Sequence, residues 1–328
     1  MKLTHREVDA IRAERGRSML LFVTDRCPVG CGHCSVDSRA DSPSITDFER
    51  FDRIVDWIAT NAKLEVIGIS GGEPFVERRG LSIATQRFAD AGKRQVVFTS
   101  GVWATRERVP QWIRAVLNRC DCVYLSTDAF HAKAIDDACL VRAAQTIAAA
   151  NPWIVLQVLD DELEQERAAK LLEQALGRHW QRHAEINLVT PLTHGRGANV
   201  FSRLARVEGR AFGPCSLARS PMVRYDGAVS ACCNESVIMA KGPSRLRRAA
   251  TDHNSLDAAT DGFHADSLLR VIGDVGLGVL TQHPRFADLA SQRFSNNCDL
   301  CWKLLERMPE GSDPLLDAIA SLRQDDDL

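Results

Sequence analysis

Short apolar runs alternate with longer amphipathic stretches through the first two thirds of the chain. Residues 18–24 (SMLLFVT) predict a strand, and the apolar positions of 46–59 recur on one stripe at helical spacing. The alternation continues with strands at 64–70, 95–99, 122–126, 154–159 and 185–189, and with helices at 81–91, 106–117, 134–149 and 163–176. Six strands separated by helices predict right-handed crossovers and a parallel α/β sheet, either open or curled into a partial (β/α)6 barrel.

The rhythm breaks after about residue 206, where a smaller α+β domain is expected to start. Residues 224–229 predict two short strands joined at a turn of Asp226 and Gly227. The arginine-rich segment 241–255 predicts a solvated loop, with binding of an acidic or phosphorylated substrate as the alternative. The predicted domains are a helical extension (1–18), a barrel core (19–205) and the second domain (206–328).

The composition narrows the class of protein. Of the 328 residues, 45% are apolar and 26% charged, and the formal net charge of −2 gives no electrostatic footprint for nucleic acid or an anionic membrane. Charges throughout the N-terminus argue against a secretory signal, and no later segment has the apolar run of a membrane span. We therefore expect a cytoplasmic protein, in which the eleven cysteines are metal ligands, catalytic thiols or core residues, and not disulfides.

Three cysteines, Cys27, Cys31 and Cys34, follow the first predicted strand in the segment CPVGCGHC. The proline and glycines favour a tight loop, and a four-iron cubane bound by three thiolates keeps one iron open to a ligand. A zinc site that adds His33 is the alternative, although zinc frameworks more often pair two-ligand knuckles across a longer gap. The spacing C-x-x-x-C-x-x-C, with an aromatic-type residue before the last cysteine, resembles the signature of the radical S-adenosylmethionine (SAM) superfamily.

This resemblance implies a function for the three-cysteine loop. In that family the open iron of a [4Fe-4S] cluster binds the amino and carboxylate groups of SAM, and an electron from the cluster cleaves SAM to a 5′-deoxyadenosyl radical. Gly71, Gly72, Glu73 and Pro74 follow the second predicted strand and resemble the family motif that binds the methionyl amine. Two glycines let the backbone approach a ligand closely, and a carboxylate suits an ammonium group.

Polar residues also follow the later strands. Ser126 and Asp128 end the fourth strand, where the resemblance implies contacts to the ribose of SAM; helix capping is the alternative for Asp128. His131, three residues on, is a candidate for contact with the substrate. Arg196 lies in a segment after the sixth strand that is similar to one in family members with extra clusters. It is expected to hold a carboxylate, such as that of SAM, and a structural salt bridge is the alternative.

A second group of cysteines lies beyond the predicted barrel. Cys215, Gly227 and Cys232 fit the C-x(9–15)-G-x4-C opening of the auxiliary-cluster domains called SPASM and twitch, and Cys298 and Cys301 supply a C-x-x-C knuckle. The resemblance implies a second [4Fe-4S] cluster held by these four cysteines. This arrangement of cysteines is similar to the single-cluster twitch type, because no cysteine follows Cys301. A zinc ribbon is the alternative.

Cys233 has three interpretations: a ligand in place of Cys232, a donor of hydrogen to a substrate radical, or a core residue. With His131 it is the candidate catalytic residue, and no other is indicated. A cluster saturated by four cysteines cannot readily bind substrate, so the auxiliary cluster is expected to carry an electron away from a substrate radical. A net oxidation, such as a dehydrogenation or a cross-link, follows from that expectation.

Two substrate classes fit the sequence. A small-molecule natural-product intermediate is expected, since about 18 residues precede the first strand and peptide-modifying family members often carry an N-terminal leader-binding domain. The alternative is a ribosomally made peptide that is cross-linked or epimerised. The resemblance also implies an electron donor such as flavodoxin or ferredoxin. An alternative of another class is a non-enzymatic, zinc-stabilised binding module.

Overall fold

Six parallel strands follow one another in both the chain and the sheet. The computed structural model describes residues 2–201, 205–309 and 313–321. The strands are β1 (Ser18–Phe22), β2 (Val66–Ser70), β3 (Arg94–Thr99), β4 (Cys122–Ser126), β5 (Trp153–Leu159) and β6 (Ala184–Val189). Each pairs in parallel with the next, so the predicted α/β fold with a partial barrel is confirmed.

Helices connect the strands and cover the outer face of the sheet. They are α1 (His5–Ala13), which precedes the barrel, and α2 (Phe48–Thr60), α3 (Arg78–Asp90), α4 (Gln111–Leu117), α5 (Asp137–Ala150) and α6 (Glu162–Leu176). Asp47, Asp136 and Asp161 each accept hydrogen bonds from backbone amides in the first turn of a helix, which fixes where α2, α5 and α6 begin.

The first helix closes the end of the barrel at which the strands begin. Val8 of α1 is buried together with Val66, Val96 and Tyr124, which lie on β2, β3 and β4. His5 Nδ1 lies 2.8 Å from the Tyr124 hydroxyl. The carboxyl ends of the strands therefore form the end of the barrel that this helix does not cover.

A three-stranded meander extends the sheet beyond β1. After β7 (Val207–Glu208), the strands β8 (Met222–Arg224), β9 (Ala228–Ser230) and β10 (Arg247–Ala249) follow. β8 pairs in parallel with β1, and β9 and β10 continue the sheet in antiparallel fashion. Gly227 makes the predicted turn at φ +90°, and a Cβ there would lie 2.3 Å from the Ala250 carbonyl oxygen. The loop predicted at 241–255 is wrong in part, because residues 247–249 pair with β9 and a helix begins at His253.

The remaining elements pack against the meander and the barrel wall. They are α7 (Glu235–Ile238), α8 (His253–Ala265), α9 (Ser267–Asp274), α10 (Leu277–Leu280), β11 (Arg293–Phe294), α11 (Asn297–Arg307) and α12 (Pro314–Ser321). β11 pairs with β7 in a separate two-stranded sheet. Across the described ranges, no helix is long and apolar enough to cross a membrane.

Candidate active site

The first three cysteines lie in the loop after β1, here called the cluster loop (residues 23–38). Cys27 N donates to the carbonyl oxygen of Arg39 at 3.0 Å, and Cys34 N donates to that of Cys31 at 3.3 Å, so the loop folds back on itself. Cys27 and Cys31 are buried and Cys34 is half-buried. Burial raises the pKa of the Cys27 thiol to about 12, so binding of a metal there must displace a proton.

The cluster loop forms one wall of a cavity of about 620 Å³ inside the barrel, a volume typical of small-molecule sites. Cys27, Cys31 and Cys34 all line it. Each strand contributes an inward-facing residue: Phe22, Ser70, Phe98, Ser126, Gln157 and Val189. Because Gly71, Gly72 and Asp128 also line the cavity, the structure brings the three cysteines together with most of the predicted SAM contacts.

Two glycines let the loop after β2 pack directly on the cluster loop. A Cβ on Gly72 would lie 2.4 Å from the Arg26 carbonyl oxygen, and one on Gly71 would lie 2.7 Å from that of Thr24. Gly72 N donates to Thr24 O at 2.7 Å, and Glu73 N donates to Arg26 O at 2.8 Å. A side chain at either glycine would push the two loops apart, so this close contact requires both.

Glu73 is completely buried, and its carboxylate ties the end of β2 to the end of β3. Oε1 accepts from Thr99 Oγ1 at 2.8 Å and Phe75 N at 3.2 Å, while Oε2 accepts from Ser100 N at 2.8 Å. Burial raises the pKa of Glu73, although these hydrogen bonds oppose the shift. Neither Glu73 nor Pro74 is among the cavity-lining residues, so the geometry gives Glu73 a positioning role, and contact with the SAM amine stays a prediction.

Asp128 caps the turn that follows β4. Its Oδ1 accepts from Phe130 N at 2.8 Å and from His131 N at 3.0 Å, and its Oδ2 lies 3.1 Å from His33 Nε2 and 2.9 Å from His131 Nδ1. Burial alone would raise the pKa of Asp128, but the two histidines hold it well below its usual range. The capping alternative is thus present in the structure, and ribose binding by Ser126 and Asp128 stays a prediction.

His33 and His131 lie beside a cysteine of the cluster loop. The ligand atoms of Cys31, His33 and His131 are all within 4.8 Å of one another. The His33 ring packs on Phe130, with ring centroids 4.6 Å apart. Burial alone would lower the pKa of His131, but its close contacts with Asp128 and Cys31 raise it to about 10. His131 therefore lies where it contacts both the cluster loop and the cavity.

Arg196 holds the cluster loop from outside the cavity. Its Nε donates to Cys31 O at 2.9 Å, its Nη1 lies 2.7 Å from Asp37 Oδ1, and both terminal nitrogens donate to Ser38 O at 3.1 Å. Arg196 is absent from the cavity lining. The structural salt bridge, which was the alternative for this residue, is therefore what the structure contains, and the guanidinium is engaged before any substrate or SAM carboxylate arrives.

The second group of cysteines converges from three segments. Cys215 precedes a short 3-10 turn and Cys232 follows β9. Cys298 and Cys301 lie in the first turns of α11, so the predicted knuckle is the start of a helix, capped by Asn296. Burial raises the pKa of Cys301 well above its ordinary value, and the neighbouring thiols of Cys232, Cys215 and Cys298 raise it further.

Two kinds of site are compatible with four thiols, a zinc ion and an iron-sulfur cluster. Thiolates placed tetrahedrally at 2.3 Å from one zinc ion lie about 3.8 Å apart. Among the described residues, Cys215, Cys232, Cys298 and Cys301 form no group of three whose sulfurs are within 4.8 Å of one another. A cubane distributes its thiolates over separate irons and so holds them farther apart. Four thiols are a complete ligand set for one [4Fe-4S] cluster, and an auxiliary cluster held by these residues stays a prediction.

Cys233 stands apart from its neighbour Cys232 because it lines the cavity. Its sulfur lies 3.6 Å from Arg12 Nη2. Sequence reasoning missed Arg12 and Glu235, which also line the cavity. The signal for Arg12 was its position four residues after Val8, on the buried face of α1. Glu235 belongs to no motif, and nothing in its local sequence distinguishes it.

Residues 21–151 match the radical SAM superfamily, and this match covers the cluster loop and the glycine motif. The protein contains a radical SAM domain and is an enzyme of that kind, whose cofactors are a [4Fe-4S] cluster and SAM. The three thiols in one cavity wall, with the glycine pair packed behind them, fit those cofactors.

Individual relatives extend the similarity over most of the chain. The chain is similar to YydG of Bacillus subtilis (strain 168), with 19% identity over 298 residues that cover 88% of this chain and 92% of YydG. Its fold is similar to that of anSMEcpe with bound AdoMet and Cp18Cys peptide, at a TM-score of 0.52 and 12% identity over 93% of this chain and 99% of that one. Streptococcus suis SuiB bound to precursor peptide SuiA matches 90% of this chain and 72% of its own, with 10% identity and a TM-score of 0.48.

Proposed function

We propose that the protein modifies a ribosomally made peptide by removing a hydrogen atom from one of its residues. The name of YydG, which the chain matches over most of both lengths, refers to peptide biosynthesis. The solved structure of anSMEcpe, whose fold is similar, holds a Cp18Cys peptide. These relatives favour a peptide over the small-molecule intermediate expected from the sequence, which becomes the second choice.

The barrel core, residues 19–205, would perform the reaction. Cys27, Cys31 and Cys34 would hold the [4Fe-4S] cluster, and the backbone of Gly71 and Gly72 would face SAM. When bound, these cofactors supply a carbon radical that abstracts a hydrogen atom from the substrate. The part of the chain is to orient the peptide in the cavity and to keep water away. The extension 1–18 closes the barrel, and residues 206–328 would carry the auxiliary cluster.

The position of Cys233 favours epimerisation over oxidation. Its thiol lines the same cavity as the cluster loop, whereas Cys232 groups with the other three cysteines. After a Cα–H bond of the peptide is broken, the S–H bond of Cys233 would break to form a new C–H bond on the opposite face of that carbon. The sulfur is left as a thiyl radical. A donor such as reduced flavodoxin or ferredoxin returns one electron to it, and the solvent returns one proton. The peptide is then inverted without net oxidation.

An oxidation remains the second candidate, carried by the four other cysteines. Cys215, Cys232, Cys298 and Cys301 would saturate an auxiliary [4Fe-4S] cluster, which suits electron transfer. A peptide radical that lost its electron to that cluster, and a proton to solvent, would end as a cross-link or a dehydrogenated residue. This route gives Cys233 no chemical task.

The two candidates differ in the mass of the product. Reconstituted enzyme is incubated in D2O with SAM, a reductant and any short peptide encoded beside its gene, and the peptides are analysed by mass spectrometry. Epimerisation adds one deuterium to one residue, whereas oxidation removes two hydrogens. Under our proposal the Cys233→Ala variant still forms 5′-deoxyadenosine but no inverted product. Modification of a small molecule with every peptide unchanged contradicts the peptide proposal.

A further inference from the structure

Two charged side chains line the cavity wall without belonging to any motif. Arg12 comes from α1, which closes the barrel, and Glu235 is the first residue of α7. Both line the cavity that the cluster loop borders. They are far apart in the chain, so the fold, and not the local sequence, brings them to one wall.

The guanidinium of Arg12 is enclosed but has few partners. Its Nη2 lies 3.6 Å from Cys233 Sγ, and its Nη1 forms a long ion pair of 3.6 Å with Asp9 Oδ1. Within residues 2–201, 205–309 and 313–321 it makes no hydrogen bond to an oxygen. A guanidinium has five N–H donors, and 30% of this side chain is exposed beside the cavity. Most of its donors are therefore available to a ligand.

The carboxylate of Glu235 is also enclosed and available. In the described part of the chain, no other residue donates a hydrogen bond to it or forms an ion pair with it. Burial raises its pKa, while its own backbone amide, His194 and Arg12 act in the opposite direction. Arg12 is thus near enough to influence Glu235, yet the two do not satisfy one another. The wall therefore presents a group of donors and an acceptor to the same cavity.

We infer that Arg12 and Glu235 bind one peptide bond of the substrate, with Arg12 donating to its carbonyl oxygen and Glu235 accepting from its N–H. This inference rests on the proposed function, which makes the substrate a peptide. A neutral amide offers one acceptor and one donor, matching the two side chains. A carboxylate fits less well because Glu235 repels it, and a cation fits less well because Arg12 repels it.

The contact between Arg12 and Cys233 fixes where the bound peptide bond lies. Because Arg12 touches the thiol, a carbonyl group held by Arg12 lies next to Cys233. The residue attached to that carbonyl is then presented between the thiol and the cluster loop. Arg12 and Glu235 would therefore select which residue of the peptide reacts, without taking part in the chemistry.

Peptides selected on the enzyme itself test this site. A random peptide library is selected on the reconstituted holoenzyme with SAM, and a peptide is kept if it also raises the rate of 5′-deoxyadenosine formation. We expect Arg12→Met and Glu235→Leu each to weaken binding of that peptide about 10-fold, as loss of a hydrogen bond to a charged group does. The matched controls Arg6→Met and Glu166→Leu, at exposed positions, should bind it like the wild type.

An amide-to-ester scan of the same peptide changes the ligand, so its measurement on the wild type does not depend on whether a variant folds. Replacing the N–H that faces Glu235 by an ester oxygen should weaken binding to the wild type about 10-fold and binding to Glu235→Leu less than 2-fold. The inference is overturned if the wild type and both variants bind the peptide equally, or if no ester replacement weakens binding. Either result leaves the proposed function standing. A library that yields no such peptide, together with a small molecule that is modified, overturns the proposed function as well.

Discussion

Arg224 and Asp25 form a buried, two-point ion pair that joins the meander to the cluster loop. Arg224 Nη1 lies 3.0 Å from Asp25 Oδ1, and Nη2 lies 2.8 Å from Oδ2. The Tyr225 hydroxyl donates to the same carboxylate at 2.9 Å. Asp25 is two residues before Cys27, so the position of the first cysteine depends on a strand 199 residues away.

Removing Arg224 should loosen the cluster loop. Arg224→Met leaves Asp25 buried without its partner, which typically costs about 3–5 kcal/mol of unfolding free energy. We expect that loss in urea unfolding of the metal-free protein, together with lower iron uptake at the cluster loop. Tyr225→Phe, which removes one hydrogen bond, should cost about 1 kcal/mol. Wild-type stability and iron content in Arg224→Met would show that the pair does not support the loop.

Replacing Arg196 should weaken retention of the iron-sulfur cluster and leave SAM binding nearly unchanged. Because its guanidinium bonds Cys31 O, Ser38 O and Asp37, Arg196→Gln should lower iron retention several-fold. The SAM dissociation constant of the molecules that keep their cluster should stay near the wild-type value. Asp37→Asn, which disturbs only one of these contacts, serves as the milder control. Normal iron with weakened SAM binding would instead place Arg196 on the SAM carboxylate.

The Asp128–His131 pair predicts a pH dependence in the metal-free protein. The pKa of His131 is raised from 6.5 to about 10, so between these values the folded chain holds a proton that the unfolded chain releases. The contribution of His131 to the unfolding free energy should therefore be complete below pH 6.5 and should be lost as the pH rises toward 10. The lowered pKa of Asp128 gives the opposite trend in acid, with stability lost as pH falls.

Replacing the carboxylate tests the cause of that dependence. Asp128→Asn removes the charge that holds the His131 proton, so the alkaline fall in stability should become shallower. Circular dichroism during urea unfolding at several pH values measures the slope. An unchanged slope in Asp128→Asn would assign the effect to another group.

The local hydrophobic pattern was sufficient to predict the strands of the barrel, but not the packing of the C-terminal segments against it. The strands of the core were predicted within one or two residues, because each is a short apolar run bounded by turn signals. The pairing of β8 with β1 joins segments about 200 residues apart, and no local periodicity records such a contact. Segment 241–255 was predicted to be solvated. Arg245 lies 2.6 Å from buried Asp266, however, so the charge of Arg245 is paired inside the fold.

The site divides in the same way. Cys27, Cys31 and Cys34 and the glycines after β2 could be found because their chemistry requires fixed spacing along the chain. Glu235 could not, because the fold brings it to the cavity from a distant segment. The spacing of Arg12 from Val8 places it on the buried face of α1, but only the fold places it in the cavity. For Arg196 the residue type predicted either a carboxylate ligand or a structural salt bridge. Its donors are engaged by Asp37 and by backbone carbonyls that only the folded loop presents.

Iron content should separate Cys233 from the four cysteines near it. Two four-iron sites predict about eight irons per chain after anaerobic reconstitution. Cys298→Ala removes a thiol that the structure groups with Cys215, Cys232 and Cys301, so it should retain roughly half of the iron. Cys233→Ala should retain all of it, since that thiol lines the cavity beside Arg12. Loss of iron in Cys233→Ala, with full iron in Cys232→Ala, would exchange the two roles and remove Cys233 from hydrogen donation.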